Sequence, residues 1–226
     1  MESFRKNEGT LGKAGVKRLA DSCAFLVGLG GLGGFVANGL VRLGVRRIHL
    51  VDYDVYEESN LNRQLFSSQM SLGKKKTDQV KKELSLVNPH AEIITHDMRI
   101  EEMAAEDFPK EADIIIDALD DITTKIHLER FAGTVGKPLL HGAIGGWYGQ
   151  MGIISPGKGL LRELYGEKKA GVEKEMENPT FTPAVIANLM VTEYAKYITK
   201  NEHVLMDRIL YVDLEEQAYH ILFGKD

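Results

Sequence analysis

A glycine-rich turn is the first part of the sequence whose residues could bind a reacting group. Residues 28–33 read Gly-Leu-Gly-Gly-Leu-Gly and follow the apolar run 23–27. Glycines at this spacing let the backbone approach a phosphate closely, and the N-terminus of a following helix offers unpaired N–H groups and a partial positive charge to an anion. Asp52 ends the next apolar run, where a carboxylate can accept hydrogen bonds from a ribose diol. Together these features predict a ligand that contains adenosine.

A second set of polar residues could neutralise the charge of a triphosphate. The segment 54–76 is long and polar for a connection inside a compact domain, and connections of this length usually carry function. Adenylation needs cations and a metal around a triphosphate and its pyrophosphate leaving group, whereas hydride transfer needs no such cluster. The glycines and Asp52 fit NAD as well as ATP, so the further polar residues favour ATP. They are Asn60, Arg63, Gln64, Lys76 and Asp120.

Apolar runs and helical spacings predict the elements that position these residues. Strands that alternate with helices indicate an α/β protein with a Rossmann-like, doubly wound and mostly parallel sheet. Ligands of such folds bind at the carboxyl edge of the sheet, where Asp52 and Asp120 would meet. The predicted strands are 23–27, 48–51, 92–96, 114–116 and 139–143, and the predicted helices are 34–43, 76–87 and 125–135.

The pattern changes beyond Gly145, where antiparallel strands are predicted at the C-terminal edge of the sheet. Thr182 followed by Pro183 is a typical N-cap and first-turn pair, so it predicts the start of a helix. The Lys/Glu-rich segment 157–182 is predicted to be a mobile loop. The added strands are 148–154, 209–214 and 219–223.

Length and composition limit the kind of protein. A chain of 226 residues with 43% hydrophobic and 27% charged residues is expected to form one globular domain, residues 1–226. A net charge of -5 argues against an extensive nucleic-acid surface, so tRNA is not the expected partner. The sequence has no run of about 20 apolar residues and no apolar N-terminal region, which predicts a cytoplasmic protein without a membrane span.

The single cysteine, Cys23, limits the chemistry further. One thiol can form neither an internal disulfide nor a CxxC redox pair, and no structural zinc is expected. Cys23 begins an apolar run and is predicted to be a small buried residue, not a nucleophile. An activated product must therefore leave as the adenylate or react with another molecule.

The motifs, in this order along the chain, resemble the ThiF/MoeB/HesA family of adenylyltransferases, relatives of the ubiquitin-activating enzymes. The resemblance covers residues 4–154, and its most diagnostic part is Ser-Asn-Leu-Asn-Arg-Gln at 59–64. The other motifs are the glycines of 28–33, Asp52-Tyr53-Asp54, Gly73 with Lys76, and Asp117-Ala118-Leu119-Asp120.

The resemblance implies an enzyme that uses ATP and Mg²⁺ to adenylate a carboxylate. Asp52 would hold the ribose and Gly31 would lie against the nucleotide. Arg63 and Lys76, with Asn60, would contact the phosphates and catalyse the reaction together with Asp120, which would bind Mg²⁺. The implied nucleotide site consists of Gly28, Gly30, Gly31, Gly33, Asp52, Asp54, Asn60, Arg63, Gln64, Lys76, Leu119 and Asp120.

The resemblance also implies a homodimer in which an N-terminal arginine acts in the partner's site. Arg5 and Lys6 both fit this role, and the spacing does not choose between them. The implied substrate is the C-terminal glycine carboxylate of a small ubiquitin-like sulfur-carrier protein of the thiamine or molybdopterin kind. No general base is required, because that carboxylate is already ionised near neutral pH.

Other interpretations stay open at this point. The family also suggests ATP-dependent dehydration of a modified tRNA base, and the residues allow an NAD-dependent oxidoreductase or a nucleotide-binding scaffold without catalysis. Arg63 could be a solvated loop residue, Lys76 part of a lysine run, and Asp120 the N-cap of the next helix. Lys74 and Lys75 are expected to be exposed charges. Lys125 matches a basic position that members of the family often have just after the magnesium aspartate, but a lone helix lysine is expected to be exposed.

The glycine-rich stretch 141–150 could let an extended peptide tail approach the nucleotide, with His141, Trp147 and Tyr148 beside it. In the alternative interpretation, Trp147 packs in the core or at a dimer interface. His141 would then be a strand-end histidine with satisfied hydrogen bonds.

Overall fold

An eight-stranded sheet organises the protein, and the computed structural model describes residues 2–166 and 178–223. The strands are β1 (Cys23–Val27), β2 (Arg47–Val51), β3 (Glu92–His96), β4 (Ile114–Asp117), β5 (Leu139–Gly145), β6 (Tyr148–Ile154), β7 (Ile209–Asp213) and β8 (Ala218–Leu222). They lie in the order β3-β2-β1-β4-β5-β6-β7-β8. Strands β1 to β5 are parallel, and β6 to β8 pair antiparallel at the far edge. The predicted mostly parallel α/β sheet with antiparallel strands at its C-terminal edge is confirmed.

Helices cover both faces of the sheet. They are α1 (Glu8–Asp21), α2 (Gly31–Leu43), α3 (Lys76–Val87), α4 (Ile122–Val135), α5 (Leu160–Tyr165) and α6 (Phe181–Thr199), with a 3-10 helix at Glu2–Asn7. Apolar residues of α2, α3 and α6 form one core with the sheet, and those of α4 and α5 form a second core on the opposite face. Strand β1 is buried along its whole length, which explains its continuous apolar sequence.

Helix α2 begins inside the glycine-rich turn. Gly30 is its N-cap, so the helix starts at Gly31 and not at residue 34 as predicted. Gly44 ends it in the left-handed conformation with φ 94°, as the sequence predicted. The early start places the unpaired N–H groups of the first turn at the carboxyl end of β1.

The N-terminal helix α1 was not predicted. Within α1 only Gly15 and Leu19 are buried, so few apolar residues mark its inner face. A kink at Gly12, with φ 67°, interrupts it further.

Two predictions near the C-terminus were wrong. Part of the predicted loop 157–182 is helical, because Leu160 and Leu161 of α5 pack into the second core; residues 167–177 of that loop lie outside the described residues. Thr182 does not cap α6, which begins at Phe181 with Thr180 as N-cap, two residues earlier than predicted. The Thr182 hydroxyl is buried and donates instead to the carbonyl oxygen of Gly146.

Cys23 is buried, as predicted, with 3% of its surface exposed. Burial raises the pKa of its thiol to about 12, so the thiol stays protonated near neutral pH.

Among the helices of the described ranges, none is long and apolar enough to span a bilayer.

Two histidines on neighbouring strands form a pair in the second core. His49 Nδ1 lies 3.0 Å from His96 Nε2, and the rings stack at 5.3 Å between centroids. Burial lowers the pKa of both side chains, and the proximity of His96 lowers that of His49 further. Both imidazoles are therefore neutral in the folded protein near neutral pH.

The pair should make stability depend on pH. Both folded-state pKa values lie below the ordinary 6.5. The unfolded chain therefore binds more protons than the folded protein once the pH falls below about 7. The free energy of unfolding, measured by urea titration, should therefore decrease between about pH 7.5 and about pH 5.5. His96→Gln should flatten this dependence, whereas His203→Gln, at an exposed histidine, should not. An equal slope in wild type and His96→Gln would contradict the prediction.

Candidate functional site

The carboxyl ends of β1, β2 and β4 and the N-terminus of α2 surround a cavity of about 560 Å³. Its size is typical of small-molecule sites, and its position is where ligands of doubly wound folds bind. Most of the predicted site residues line it. They are Gly28, Gly30, Gly31, Asp52, Asp54, Arg63, Gln64, Lys76, Leu119 and Asp120.

The glycines of the turn have two different roles. A Cβ on Gly33 would lie 1.9 Å from the carbonyl oxygen of Gly28, and a Cβ on Gly28 would lie 2.6 Å from that of Ala118. Gly28 also has φ 92°, which disfavours other residues. Gly30 and Gly31 line the cavity, where their missing side chains leave the backbone open to a ligand. Packing therefore requires glycine at positions 28 and 33, whereas Gly30 and Gly31 expose the backbone to the cavity.

Asp52 is fixed at the edge of the cavity. One carboxylate oxygen accepts the backbone N–H of Leu29 at 2.6 Å and the other accepts that of Asp54 at 2.8 Å. Burial raises the pKa of Asp52, opposed by the charge of Lys76 and by these hydrogen bonds. Each oxygen keeps a further lone pair with which it can accept a hydrogen bond from a ligand.

Two cations of the polar segment enter the same cavity. Lys76 is 6% exposed, and its Nζ lies 2.9 Å from Asp54 Oδ2. Arg63 packs its aliphatic carbons against Gly31, and its guanidinium donates to the carbonyl oxygen of Ser59 at 2.8 Å. Both residues line the cavity, and the Arg63 guanidinium also donates to Asn62 Oδ1 at 3.0 Å.

Asp120 lies in the turn between β4 and α4, with its side chain exposed at the cavity. The interpretation of Asp120 as an N-cap is wrong, because Asp121 caps α4 by accepting the N–H of Thr124 at 2.8 Å. Within the described ranges, the Asp120 carboxylate has neither a hydrogen-bond nor an ion-pair partner. It is therefore free to bind a cation from the cavity.

Three predicted residues lie outside the cavity lining. Gly33 packs against the turn, and the buried Asn60 uses its Oδ1 to accept the N–H of Glu57 at 3.0 Å within the polar segment. Arg5 belongs to the 3-10 helix that contacts the C-terminal end of α2 through Asn7, whereas the cavity adjoins the N-terminal end. Because α2 has 13 residues, these ends are separated by about 20 Å. Arg5 therefore does not reach the cavity of its own chain.

A buried polar network lies behind the cavity, and it overturns the prediction that Lys125 is exposed. Lys125 is 0% exposed, and its Nζ lies 3.2 Å and 3.3 Å from the two carboxylate oxygens of Asp117. His141 Nδ1 lies 2.8 Å from Asp117 Oδ2, and His141 Nε2 contacts Gln150 and Tyr165. Burial opposes ionisation of Asp117, but Lys125 and His141 together hold its pKa below the ordinary value. His141 is thus the hydrogen-bonded strand histidine of the alternative interpretation.

The sequence did not indicate part of the cavity wall. The Arg99 guanidinium lies 3.7 Å from the ring centroid of Tyr53, and both residues line the cavity. Arg99 follows β3, whose carboxyl end shares an edge with those of β1 and β2, so strand order could have suggested it. Asn178 also lines the cavity and has no motif around it.

The aromatic residues Trp147 and Tyr148, which follow β5, pack against α6 and β7. Trp147 is 43% exposed and packs on Phe181 at 4.6 Å between ring centroids. Tyr148 stacks on Tyr211 of the antiparallel edge. Gly142 and Gly149 of the same stretch pack against α6, where a Cβ would clash with Met190 and Ile186 respectively. These two glycines are therefore explained by core packing.

Fold and cavity together define a Rossmann-like α/β protein with its site at the carboxyl edge of the sheet. The ThiF family model matches residues 5–223, so the chain belongs to the ThiF family. The crystal structure of E. coli MccB with MccA-N7isoASN shares this fold, with a TM-score of 0.84 at 21% identity over 99% of this chain and 72% of that one.

Two curated relatives are similar in sequence. The "Probable adenylyltransferase/sulfurtransferase MoeZ" of Mycobacterium tuberculosis is 30% identical over 229 residues, covering 94% of this chain and 56% of MoeZ. The "tRNA threonylcarbamoyladenosine dehydratase" of Bacillus subtilis is 40% identical over 129 residues, covering 57% of this chain and 51% of the dehydratase. The chain thus spans about half the length of these relatives.

A methyl group at Gly33 should destabilise the fold. Gly33→Ala should lower the free energy of unfolding by roughly 3 kcal/mol or more, because its Cβ meets the backbone of Gly28 at 1.9 Å. Gly34→Ala is the matched control on the same helix, since its Cβ makes ordinary contact at 3.5 Å. That control should be neutral or stabilise by up to about 1 kcal/mol through helix propensity. Equal urea midpoints for the two variants would contradict the prediction.

Proposed function

We propose that residues 1–226 form one adenylyltransferase domain of a cytoplasmic protein, and that this domain activates a carboxylate with ATP and Mg²⁺. The observation that carries the proposal is the convergence of Arg63, Lys76 and Asp120 on one cavity, beside the glycine-rich turn. Hydride transfer would leave these three residues without a role. Membership of the ThiF family and the similarity to MoeZ support the same chemistry.

The cavity offers partners for the phosphates and the ribose of ATP. The backbone at Gly30 and Gly31, at the N-terminus of α2, would bind phosphate oxygens. Arg63 and Lys76 would neutralise their charge, and Asp52 would accept hydrogen bonds from the ribose hydroxyls. Predicted contacts of Gly28, Asp54, Gln64 and Leu119 complete the binding site at the cavity wall, while Gly33 and Asn60 would contribute by shaping the turn and the polar segment.

The charges of the lining support a requirement for a divalent cation. The lining residues contain five acidic and three basic side chains, so a triphosphate would be poorly neutralised by the protein alone. The unpaired Asp120 carboxylate fits Mg²⁺, which would supply charge neutralisation to the phosphates when bound. The side chains counted are Asp52, Asp54, Glu101, Asp120 and Asp121 against Arg63, Lys76 and Arg99.

The proposed reaction is an in-line displacement. An oxygen of the substrate carboxylate forms a bond to the α-phosphorus while the bond from that phosphorus to the β-bridging oxygen breaks. The electron pair of the broken bond leaves with pyrophosphate, and an acyl-adenylate remains. No proton needs to be removed, because the carboxylate is ionised. The role of Arg63 and Lys76 is to position the phosphates and to stabilise the charge that develops on the leaving group.

The proposed substrate is the C-terminal glycine of a small ubiquitin-like sulfur-carrier protein. Ala143 and Ile144 give the cavity an apolar side that would suit a chain end without charged side chains. Beyond them, the exposed Trp147 on Phe181 offers a surface for the preceding tail. We further propose a homodimer in which Arg5 or Lys6 acts in the partner's cavity, because neither residue lines the cavity of its own chain.

Lys76 should contribute to ATP binding. Lys76→Met is expected to weaken binding by roughly 10- to 100-fold, since a hydrogen bond to a charged group contributes about 1.5–3 kcal/mol. Calorimetry with ATP and Mg²⁺ measures this change. Lys75→Met is the matched control, because Lys75 is exposed and pairs with Asp97 outside the cavity. NAD binding tighter than ATP binding, or equal effects of the two variants, would contradict the ATP site.

Pyrophosphate exchange tests the reaction itself. The protein, ATP, Mg²⁺ and a carrier protein ending in Gly-Gly should incorporate labelled pyrophosphate into ATP. The same carrier with an amidated C-terminus is the control, since it lacks the attacking oxygen and should give no exchange. Exchange that persists with the amidated carrier would contradict carboxylate activation. Absence of exchange with every carrier would exclude this substrate class but not the fold.

A second candidate is favoured by the similarity to the dehydratase of Bacillus subtilis. Activation of a carboxylate with ATP, followed by attack of a nucleophile from the same molecule, removes the elements of water, so the same site would suffice. The net charge of -5 favours the carrier protein over tRNA. A salt-dependent shift of tRNA on a native gel, together with AMP formation that requires tRNA, would reverse this preference.

A further inference from the structure

The buried lysine behind the cavity, Lys125, binds both a carboxylate and a backbone carbonyl. Lys125 Nζ contacts both carboxylate oxygens of Asp117 and lies 2.7 Å from the carbonyl oxygen of Gly142. Both side chains of the ion pair are 0% exposed. A buried ion pair is often no more stable than well-packed apolar residues of the same volume. Stability alone therefore gives no reason for an ammonium at this place, and its effect on the neighbouring backbone becomes the relevant property.

Asp117 connects that ammonium to the turn that carries Asp120. Its Oδ1 accepts the backbone N–H of Leu119 at 3.1 Å, so the carboxylate fixes the residue directly before Asp120. Asp121, directly after it, is fixed as the N-cap of α4. Asp120 thus lies between two anchored residues. Within the described ranges no hydrogen bond or ion pair holds its carboxylate, so its position depends on the backbone of this turn.

The second contact of Lys125 extends to the other side of the cavity. Gly142 belongs to β5, and the residues that follow it, Ala143 and Ile144, line the cavity. One ammonium therefore links the turn of Asp120 to the strand that forms the apolar side. If the proposed reaction is correct, these are the metal side and the carboxylate side of the site.

We propose that Lys125 is a positioning residue, which holds the Asp120 carboxylate in the direction needed to bind Mg²⁺ by fixing Asp117 against the backbone of Leu119. Lys125 itself touches neither ATP nor the metal. The inference rests on the proposed function, since it assigns the residue to the Mg²⁺ that accompanies ATP. It also explains why an apolar residue of similar size would be a poor replacement, because Asp117 would then lose the partner that keeps it in place.

The Mg²⁺ dependence of ATP binding tests this role without any turnover. Calorimetry with and without Mg²⁺ should show a wild-type affinity that increases by at least about tenfold with the metal. In Lys125→Met this increase should disappear, while the metal-free affinity stays within about threefold of wild type. Lys125→Arg, which keeps the charge, should restore most of the increase. If a substrate supports exchange, Lys125→Met should lower kcat by roughly 100-fold with a smaller effect on the KM for ATP.

Glu129→Gln is the matched control for a structural effect. Glu129 is also a buried charge on α4, but it accepts the N–H of Leu161 at 3.0 Å, away from the Asp120 turn. This variant should keep the wild-type Mg²⁺ dependence. If Lys125→Met does not fold, the double variant Asp117→Leu with Lys125→Met leaves no unpaired charge and should show the same loss.

The outcomes separate the two proposals. A wild-type Mg²⁺ dependence in Lys125→Met, or in the double variant, would overturn the positioning role and leave the adenylation proposal intact. An equal loss of metal-free affinity in Lys125→Met and Glu129→Gln would also overturn it, since that result indicates a general effect on the fold. A wild-type protein that binds no ATP would contradict the proposed function itself.

Discussion

The site depends on a close contact between backbones that only glycine permits. Gly33 and Gly28 approach so closely that a Cβ on Gly33 would lie 1.9 Å from the Gly28 carbonyl oxygen, and Gly28 in turn packs on Ala118. Strand β1 leads into the N-terminal end of α2, and β4 leads through Ala118 to Asp120. The contact therefore fixes the distance between the helix terminus and the carboxylate. Any larger residue would separate them or shift the sheet.

The cations reach this place through a long segment that folds back on itself. Tyr56 donates its N–H to the Lys74 carbonyl oxygen and accepts the N–H of Gly73, both at 2.9 Å, and its ring is buried. These bonds close the segment, so Lys76 returns beside Asp54, where its backbone N–H and its side chain both bind Asp54. A loop of this length would be expensive in conformational entropy if it were open. Its closure places Lys76 in the wall of the cavity.

Much of the fold could be predicted, because strands that are buried on both faces have continuous apolar sequences. The bounds of β1, β3, β6 and α3 were predicted at both ends, since turn residues and apolar spacing mark them. Helix α1 was not predicted, because only two of its residues, Gly15 and Leu19, are buried. Of the site, the glycines and the charged residues of the motifs could be recognised, and most of them line one cavity. The burial of Lys125 could not be predicted, because its partners, Asp117 and Gly142, lie on two strands of the sheet, β4 and β5.

The transfer of an oxygen atom tests the proposed reaction most directly. A carrier protein whose C-terminal carboxylate contains oxygen-18 is incubated with the protein, ATP, Mg²⁺ and an amine or thiol acceptor, and the nucleotide products are analysed by mass spectrometry. Attack of the carboxylate on the α-phosphorus predicts AMP with one oxygen-18 atom and unlabelled pyrophosphate. Label in phosphate or pyrophosphate, or ADP as the product, would contradict adenylation at this site.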